Sequence, residues 1–191
     1  MTQTPPLYDL DWFKKRAFSS LRKIDEHTWD FSDSLLLYIS TGVEAYESIQ
    51  EIDTPYYTLV TKPEREYLAS IAANIASELP DNFEYIDLGP GTEHKEQFFF
   101  DELKKHNKKF TYMPVDISEH YLDLAQKHAE HQNIPTKTIQ ASFEELPSYL
   151  GSPTTTRFIS LGLTFSNYDP EIILPLLQKI AGVNGFVFIN T

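Results

Sequence analysis

Tyr85-Ile86-Asp87-Leu88-Gly89-Pro90-Gly91-Thr92 is the stretch whose reading decides the fold. A short apolar run with one acid in it reads as a strand, and two glycines one residue apart follow it. The next residues, Glu93–His106, carry a helical pattern. A strand that ends in a Gly-X-Gly turn and feeds a helix makes a shelf for a ligand. Glycine backbone admits a ligand where a Cβ would collide, and a helix N-terminus adds unpaired N–H groups beside it.

Outward from this turn, strand and helix patterns alternate. The predicted strands are Phe83–Leu88, Phe110–Val115, Lys137–Gln140, Arg157–Phe165 and Phe186–Asn190. The predicted helices are Glu93–His106, Glu119–Gln132, Phe143–Leu150 and Pro170–Ala181. Repeated strand–helix units predict an α/β fold, a doubly wound, Rossmann-like parallel sheet covered on both faces. Upstream, Thr61-Lys62-Pro63-Glu64 fits a capping box with proline in the first turn. Tyr67, Leu68, Ile71, Ile75 and Leu79 then recur at helical spacing. Ile52–Val60 contains Thr54-Pro55-Tyr56-Tyr57 and reads as extended or turn, because a residue before proline avoids the α region. Asp11–Glu51 is irregularly helical. Its burial candidates are Trp12, Phe13, Phe18, Leu21, Trp29, Phe31, Leu35–Leu37 and Tyr38, and Gly42 interrupts or joins its helices. Residues 1–10 read as a loose tail. The expected division is an N-terminal helical extension and substrate-side segment over residues 1–60 and an α/β domain over residues 61–191.

The 191 residues fit one such domain with its extension. A net charge of −12 argues against nucleic acid or an anionic membrane surface as the main partner. The absence of cysteine excludes disulfides and thiolate chemistry. No apolar run approaches the roughly 20 residues of a membrane span, and an acidic, proline-bearing start is unlike a signal peptide. The expectation is a soluble cytoplasmic protein.

Asp116 ends the second predicted strand. In a doubly wound sheet, ligands lie at the carboxyl ends of the strands, and an acid at that position accepts hydrogen bonds from ribose hydroxyls. Ser118 is placed to cap the next helix. A dinucleotide fingerprint requires a third glycine, and His94 stands there. No Gly-Lys-Ser/Thr phosphate loop exists either, so a nucleoside with a small sulfonium tail fits better than one with phosphates. His120, His128 and His131 lack the His-Glu-X-X-His spacing of a zinc site, so no metal is expected. Glu144 and Glu145 point different ways on a helix and read as surface residues.

Three segments together resemble a known family: Tyr85–Lys95, Tyr112-Met113-Pro114-Val115-Asp116-Ile117-Ser118 and Leu161-Gly162-Leu163-Thr164-Phe165-Ser166-Asn167. They are similar to the histidine-specific S-adenosylmethionine-dependent methyltransferases. That family includes the histidine Nα-methyltransferases of the ergothioneine pathway and related fungal tryptophan-derivative N-methyltransferases. The Tyr-Tyr pair within Ile49–Leu68 also resembles the family's segment ahead of the first strand, and the likeness runs from about Leu35 onward.

The resemblance implies a class I methyltransferase sheet with S-adenosylmethionine as cofactor. Asp87, Gly89 and Gly91 would belong to the cofactor shelf. Gly89 and Lys95 would contact the cofactor's amino-acid end, Lys95 through its carboxylate, and Asp116 would hold the ribose. Ser142 and Phe143 would flank the adenine. Family members usually carry an acid at the position of Ser142, and a serine accepts the adenine amino group more weakly. Asn167 would accept from the substrate's α-amine, and Tyr57, or Tyr56 in the alternative register, would close over the substrate. Other readings stand beside these. Lys95 also reads as a solvated helix lysine, Asn167 as a cap for the helix at Asp169-Pro170, and the two tyrosines as packing aromatics.

The implied activity is N-methylation of the α-amine of a small, histidine-like amino acid. The alternative is a non-catalytic or truncated module that binds the cofactor or a partner. No residue reads as a general base. The chain ends on its fifth predicted strand, whereas the resembled fold continues for two more strands and a substrate-binding domain. The open edge is expected to pair with another copy or to mark a missing C-terminal segment.

Overall fold

The computed structural model describes residues 8–31, 33, 35, 40–92 and 94–190, with residues 40–43 as backbone only. The expectations for residues 1–7, Leu36, Leu37, Tyr38 and Glu93 lie outside these.

The centre is a five-stranded, wholly parallel sheet. The chain first forms helix α1 (Leu10–Ser20), strands β1 (Arg22–Lys23) and β2 (Trp29–Asp30), and helix α2 (Ser40–Ile49). A helical run follows, beginning with a π-helical turn over Tyr57–Thr61 and continuing as α3 (Lys62–Glu78). The sheet is then built from β3 (Asn82–Leu88), β4 (Lys109–Asp116), β5 (Ile139–Gln140), β6 (Arg157–Leu161) and β7 (Phe186–Ile189). Between them lie α4 (Gln97–Lys105), α5 (Glu119–His131), α6 (Leu146–Leu150) and α7 (Pro170–Ala181). The strand order is β5-β4-β3-β6-β7. Order therefore reverses between β3 and β6, and a crevice opens there at the carboxyl ends of the strands.

The period-two alternation of β3 divides the core. Phe83 and Tyr85 face a cluster containing Leu68, Ala72 and Ala76 of α3, Phe99, Phe100 and Leu103 of α4, and Tyr112 and Phe158 of the sheet. Ile86 and Leu88 face the opposite cluster, with Val115, Ile159 and Leu161 packed against Leu146 of α6 and Ile173 and Leu177 of α7. Both faces are thus dry, as a parallel sheet requires. The buried stripe of α3 is Glu64, Leu68, Ala72 and Ala76, each four residues from the last. Tyr67, expected in the core, is exposed. The alanines bring the helix close to the sheet, and the one acid of the stripe lies at the end nearer the crevice.

Several expectations are corrected. Ile52–Val60 is not an extended segment, because helical structure begins at Pro55. The Tyr57 N–H donates to Thr54 Oγ1 at 3.1 Å and the Thr58 N–H to the Thr54 carbonyl. Thr54 stands in a bend, and the helix starts directly after it. The capping box at Thr61 is absent, since Thr61 is already helical and its hydroxyl donates to Gln50 Oε1. Ser118 occupies the N-cap position of α5 without a side-chain cap bond. The fourth strand stops at Leu161, and residues Leu163–Asn167 form a 3-10 turn. Helix α4 begins at Gln97, so His94, Lys95 and Glu96 lie in the connecting turn. Gly42 lies inside α2. In the N-terminal segment Phe13 and Leu35 are buried, while Phe18, Trp29 and Phe31 are exposed beside a two-stranded hairpin with little to pack on.

Candidate functional site

The carboxyl ends of β3, β4 and β5 and the turn after β6 enclose a cleft lined by Leu35, Gly89, Asp116, Ile117, Ala141, Ser142, Phe143, Thr164, Asn167 and Tyr168. Five of the residues singled out from sequence meet in it: Gly89, Asp116, Ser142, Phe143 and Asn167.

Gly89 follows β3 with φ +71° and its N–H bonded to the Val115 carbonyl. A Cβ there would lie 3.1 Å from Thr164 Oγ1, so a side chain would both strain the backbone and close the crevice. Asp116 ends β4 and is buried. Its Oδ1 accepts from the Ser118 N–H at 2.8 Å. Burial pushes its carboxyl up to about 7, against the pull of the Ser118 and Ile117 N–H groups. Phe143 stacks on Tyr168 with ring centroids 5.5 Å apart. Asn167 is exposed at the end of the 3-10 turn. It does not cap the next helix: the Asp169 carboxylate does so, accepting from the Glu171 N–H.

The Ser142 hydroxyl donates to Glu145 Oε2 at 3.0 Å, which brings a carboxylate beside this position. Glu145, expected at the surface, is half-buried and also accepts from the Tyr8 hydroxyl at 2.6 Å. The same Tyr8 oxygen accepts from the Ser142 N–H at 2.8 Å. Nothing in the local pattern singles out Tyr8 or Glu145. Only the fold joins them, across 137 residues.

Asp87 lies beneath the cleft, on the tyrosine side of β3. It accepts from Tyr112 at 2.7 Å and from Ser160 at 2.7 Å, so each of its oxygens has a protein donor. Burial, with the nearby Glu96 charge, pushes it up to about 6. Lys95 stands outside the cleft lining, 3.0 and 2.9 Å from the two oxygens of Glu64. Asn190, just past β7, donates to the same Glu64 at 2.8 Å. The pair sits over Gly162 at the end of β6, where a Cβ would lie 3.6 Å from Glu64 and 3.9 Å from Lys95. Lys95 is therefore not a solvated helix lysine. Gly91, with φ +64°, Tyr56 and Tyr57 also stand outside the lining.

His94, in the position of the missing third glycine, still adopts a glycine-like φ of +49°. Its ring stacks on His128 at 4.2 Å and 15°, with the buried Glu96 carboxylate 3.4 Å from His94 and 3.9 Å from His128. These three residues lie close enough to suggest a metal centre. A metal ligated by imidazole lies near the ring plane, along the nitrogen lone pair. Two nearly parallel planes this far apart share no such point, so the stacked pair does not converge on one ion.

The donor set of the cleft fits a nucleoside. It offers a buried carboxylate, a cradle that a Cβ would fill, apolar and aromatic walls and, among the described residues that line it, no cation to match a phosphate. Among the described residues the sheet, its order and its crevice define a class I methyltransferase fold. The plantazolicin methyltransferase BpumL, solved in complex with S-adenosylhomocysteine, superposes with a TM-score of 0.53 at 13% identity over 94% of this chain and 60% of that one. The family described as "Histidine-specific methyltransferase, SAM-dependent" matches residues 15–187, and the chain belongs to that family. Among its relatives are the N-methyltransferase dtpB of Aspergillus flavus, 29% identical over 58% of this chain and 28% of that protein, and ergothioneine biosynthesis protein 1 of Neurospora crassa, 23% identical over 80% of this chain and 18% of that protein. The chain thus spans less than a third of either relative.

Proposed function

We propose that this chain is a methyltransferase domain that uses S-adenosylmethionine to methylate the α-amine of a small, histidine-like amino acid. The observation that carries this reading is the buried Asp116 carboxylate facing the same cleft as the Gly89 cradle, at the reversal of strand order. The family supports the cofactor and a histidine-like substrate, and the name of one relative, an N-methyltransferase, supports nitrogen as the target atom.

The bound cofactor supplies an electrophilic methyl group on a sulfonium. The protein's part is positioning, which supplies most of the rate in such a transfer. Asp116 would accept from the ribose hydroxyls, Gly89 would leave room for the backbone to approach, and Phe143 would wall the base. Lys95 would hold the cofactor's carboxylate by moving from Glu64, with Asp87 and Gly91 shaping the turn beneath. Asn167 would accept from the substrate amine on the opposite wall, and Tyr57 or Tyr56 would close the substrate side. The amine attacks in its neutral form. Among the described residues the cleft lining offers no base to take that proton beyond the acids of the cofactor side, so the proton leaves to water or to a group outside this sequence.

Calorimetry with S-adenosylmethionine and S-adenosylhomocysteine tests the cofactor site, and methyl transfer over an amino-acid panel tests the substrate. Asn167→Ala is expected to leave S-adenosylhomocysteine affinity within about twofold while lowering kcat/KM for the amine by about tenfold, the scale of one lost hydrogen bond. Equal loss of cofactor binding would move Asn167 to the nucleoside side. Cofactor binding with no transfer to any panel member would favour the binding-module alternative.

A further inference from the structure

Tyr8 makes an unusual pair of bonds for a residue at the edge of the sequence. Its hydroxyl oxygen accepts from the Ser142 N–H at 2.8 Å while its proton goes to Glu145 Oε2 at 2.6 Å. The two groups it bridges, one donor and one carboxylate acceptor, also share a long hydrogen bond of their own, the Ser142 N–H donating to Glu145 Oε2 at 3.4 Å. Ser142 and Phe143 line the same cleft as Asp116, and Tyr8 and Glu145 stand just outside that lining, bonded to Ser142. An adenine presents the matching face, a ring nitrogen that accepts beside an exocyclic amine that donates. One phenol satisfies both positions with a single oxygen.

The surrounding packing holds Tyr8 there. Its ring meets Trp12 of α1 edge-on at 4.9 Å, and both pack on Phe13, Leu35 and Ile117. Leu35 and Ile117 are themselves cleft walls. The residues that anchor the phenol are therefore the residues a nucleoside would touch. The Ser142 hydroxyl points its proton at Glu145, so the carboxylate is the charged and stronger acceptor of the two.

We propose that the Ser142 N–H and the Glu145 carboxylate form the edge that reads the cofactor's base, and that the Tyr8 hydroxyl occupies this edge in the cofactor-free chain and must leave it for the nucleoside to bind. The proposal rests on the cofactor reading above. It assigns the selectivity for adenine to Glu145 and makes the segment ahead of α1 an intramolecular competitor.

The test is calorimetric titration of S-adenosylhomocysteine and of S-inosylhomocysteine, whose base has the donor and acceptor exchanged. The proteins are wild type, Tyr8→Phe and Tyr8→Phe/Glu145→Ala, each checked for an unchanged thermal transition. Tyr8→Phe keeps the ring packing but deletes the competing hydroxyl. It is expected to bind S-adenosylhomocysteine about tenfold more tightly than wild type, the scale of one hydrogen bond to a charged group. In that background Glu145→Ala is expected to weaken the adenosyl ligand about tenfold and to leave the inosyl ligand unchanged or tighter. Unchanged or weaker binding by Tyr8→Phe overturns the competition. Equal losses for the two bases overturn the reading edge. Absence of binding in all three proteins would remove the cofactor reading itself, and this inference with it.

Discussion

Asp116 shows how far a single side chain can be set against its own fold. An aspartate ordinarily ionises near 3.8, and here burial lifts it to about 7. The folded chain therefore binds more protons than the unfolded chain between about pH 4 and 7, and this group's linkage makes stability fall as pH rises through that window. Ligand binding runs the other way, because an ionised carboxylate accepts from hydroxyls better than a neutral one. Affinity for S-adenosylhomocysteine is expected to rise between pH 6 and 8 and then level off. Asp116→Asn keeps an acceptor for the Ser118 N–H and removes the buried charge. It is expected to exceed wild type in stability at pH 8, with the gap narrowing toward pH 5, and to bind S-adenosylhomocysteine at least tenfold more weakly. Urea unfolding at the two pH values and calorimetry check this, and a variant less stable than wild type at pH 8 would contradict the cost of burial.

Among the elements, the helical run into α3 shows what was legible and what was not. Thr54-Pro55 and Thr61-Lys62-Pro63-Glu64 both place a threonine ahead of a proline, and Glu64 completes a capping-box pattern at Thr61 alone. Local pattern cannot rank them, because the partners that draw Glu64 away are Lys95, 31 residues on, and Asn190, 126 residues on. Thr54 is the residue that starts the run, and its hydroxyl also meets the Ile49 and Glu51 carbonyls at the end of α2. Thr54→Val, which keeps the shape and deletes the oxygen, is expected to lose about 1 kcal/mol in urea unfolding. A fully stable Thr54→Val chain would show that the Thr54 hydroxyl does not start the run. The strands of the sheet and α7 were legible because period-two and period-3.6 patterns are local. The cleft floor, Gly89 with Asp116, was legible because both sit at strand ends. The Tyr8–Glu145 and Glu64–Lys95 pairs were not, because each joins residues distant in the chain.

At the scale of the whole molecule, the two ends of the sheet do different work. The cleft occupies the carboxyl ends, while the amino end of β6 is tied by Arg157. This buried guanidinium donates to Glu84 at 2.9 Å and to the carbonyls of Leu150, Gly151 and Ile180 at 3.1, 3.2 and 2.9 Å. Those carbonyls close α6 and α7, so the negative ends of both helices converge on one cation. Arg157→Met would leave four acceptors without this donor. It is expected to destabilise the fold by about 3 kcal/mol or more while the surviving folded fraction binds S-adenosylhomocysteine with wild-type affinity. A matched loss of affinity would mean the two ends communicate. If they do not, a library of random variants should sort itself spatially. Lesions around Arg157 would surface as poor yield and heat sensitivity, lesions around the Gly89 turn as healthy protein that turns over slowly, and an expression screen alone would be blind to the second kind.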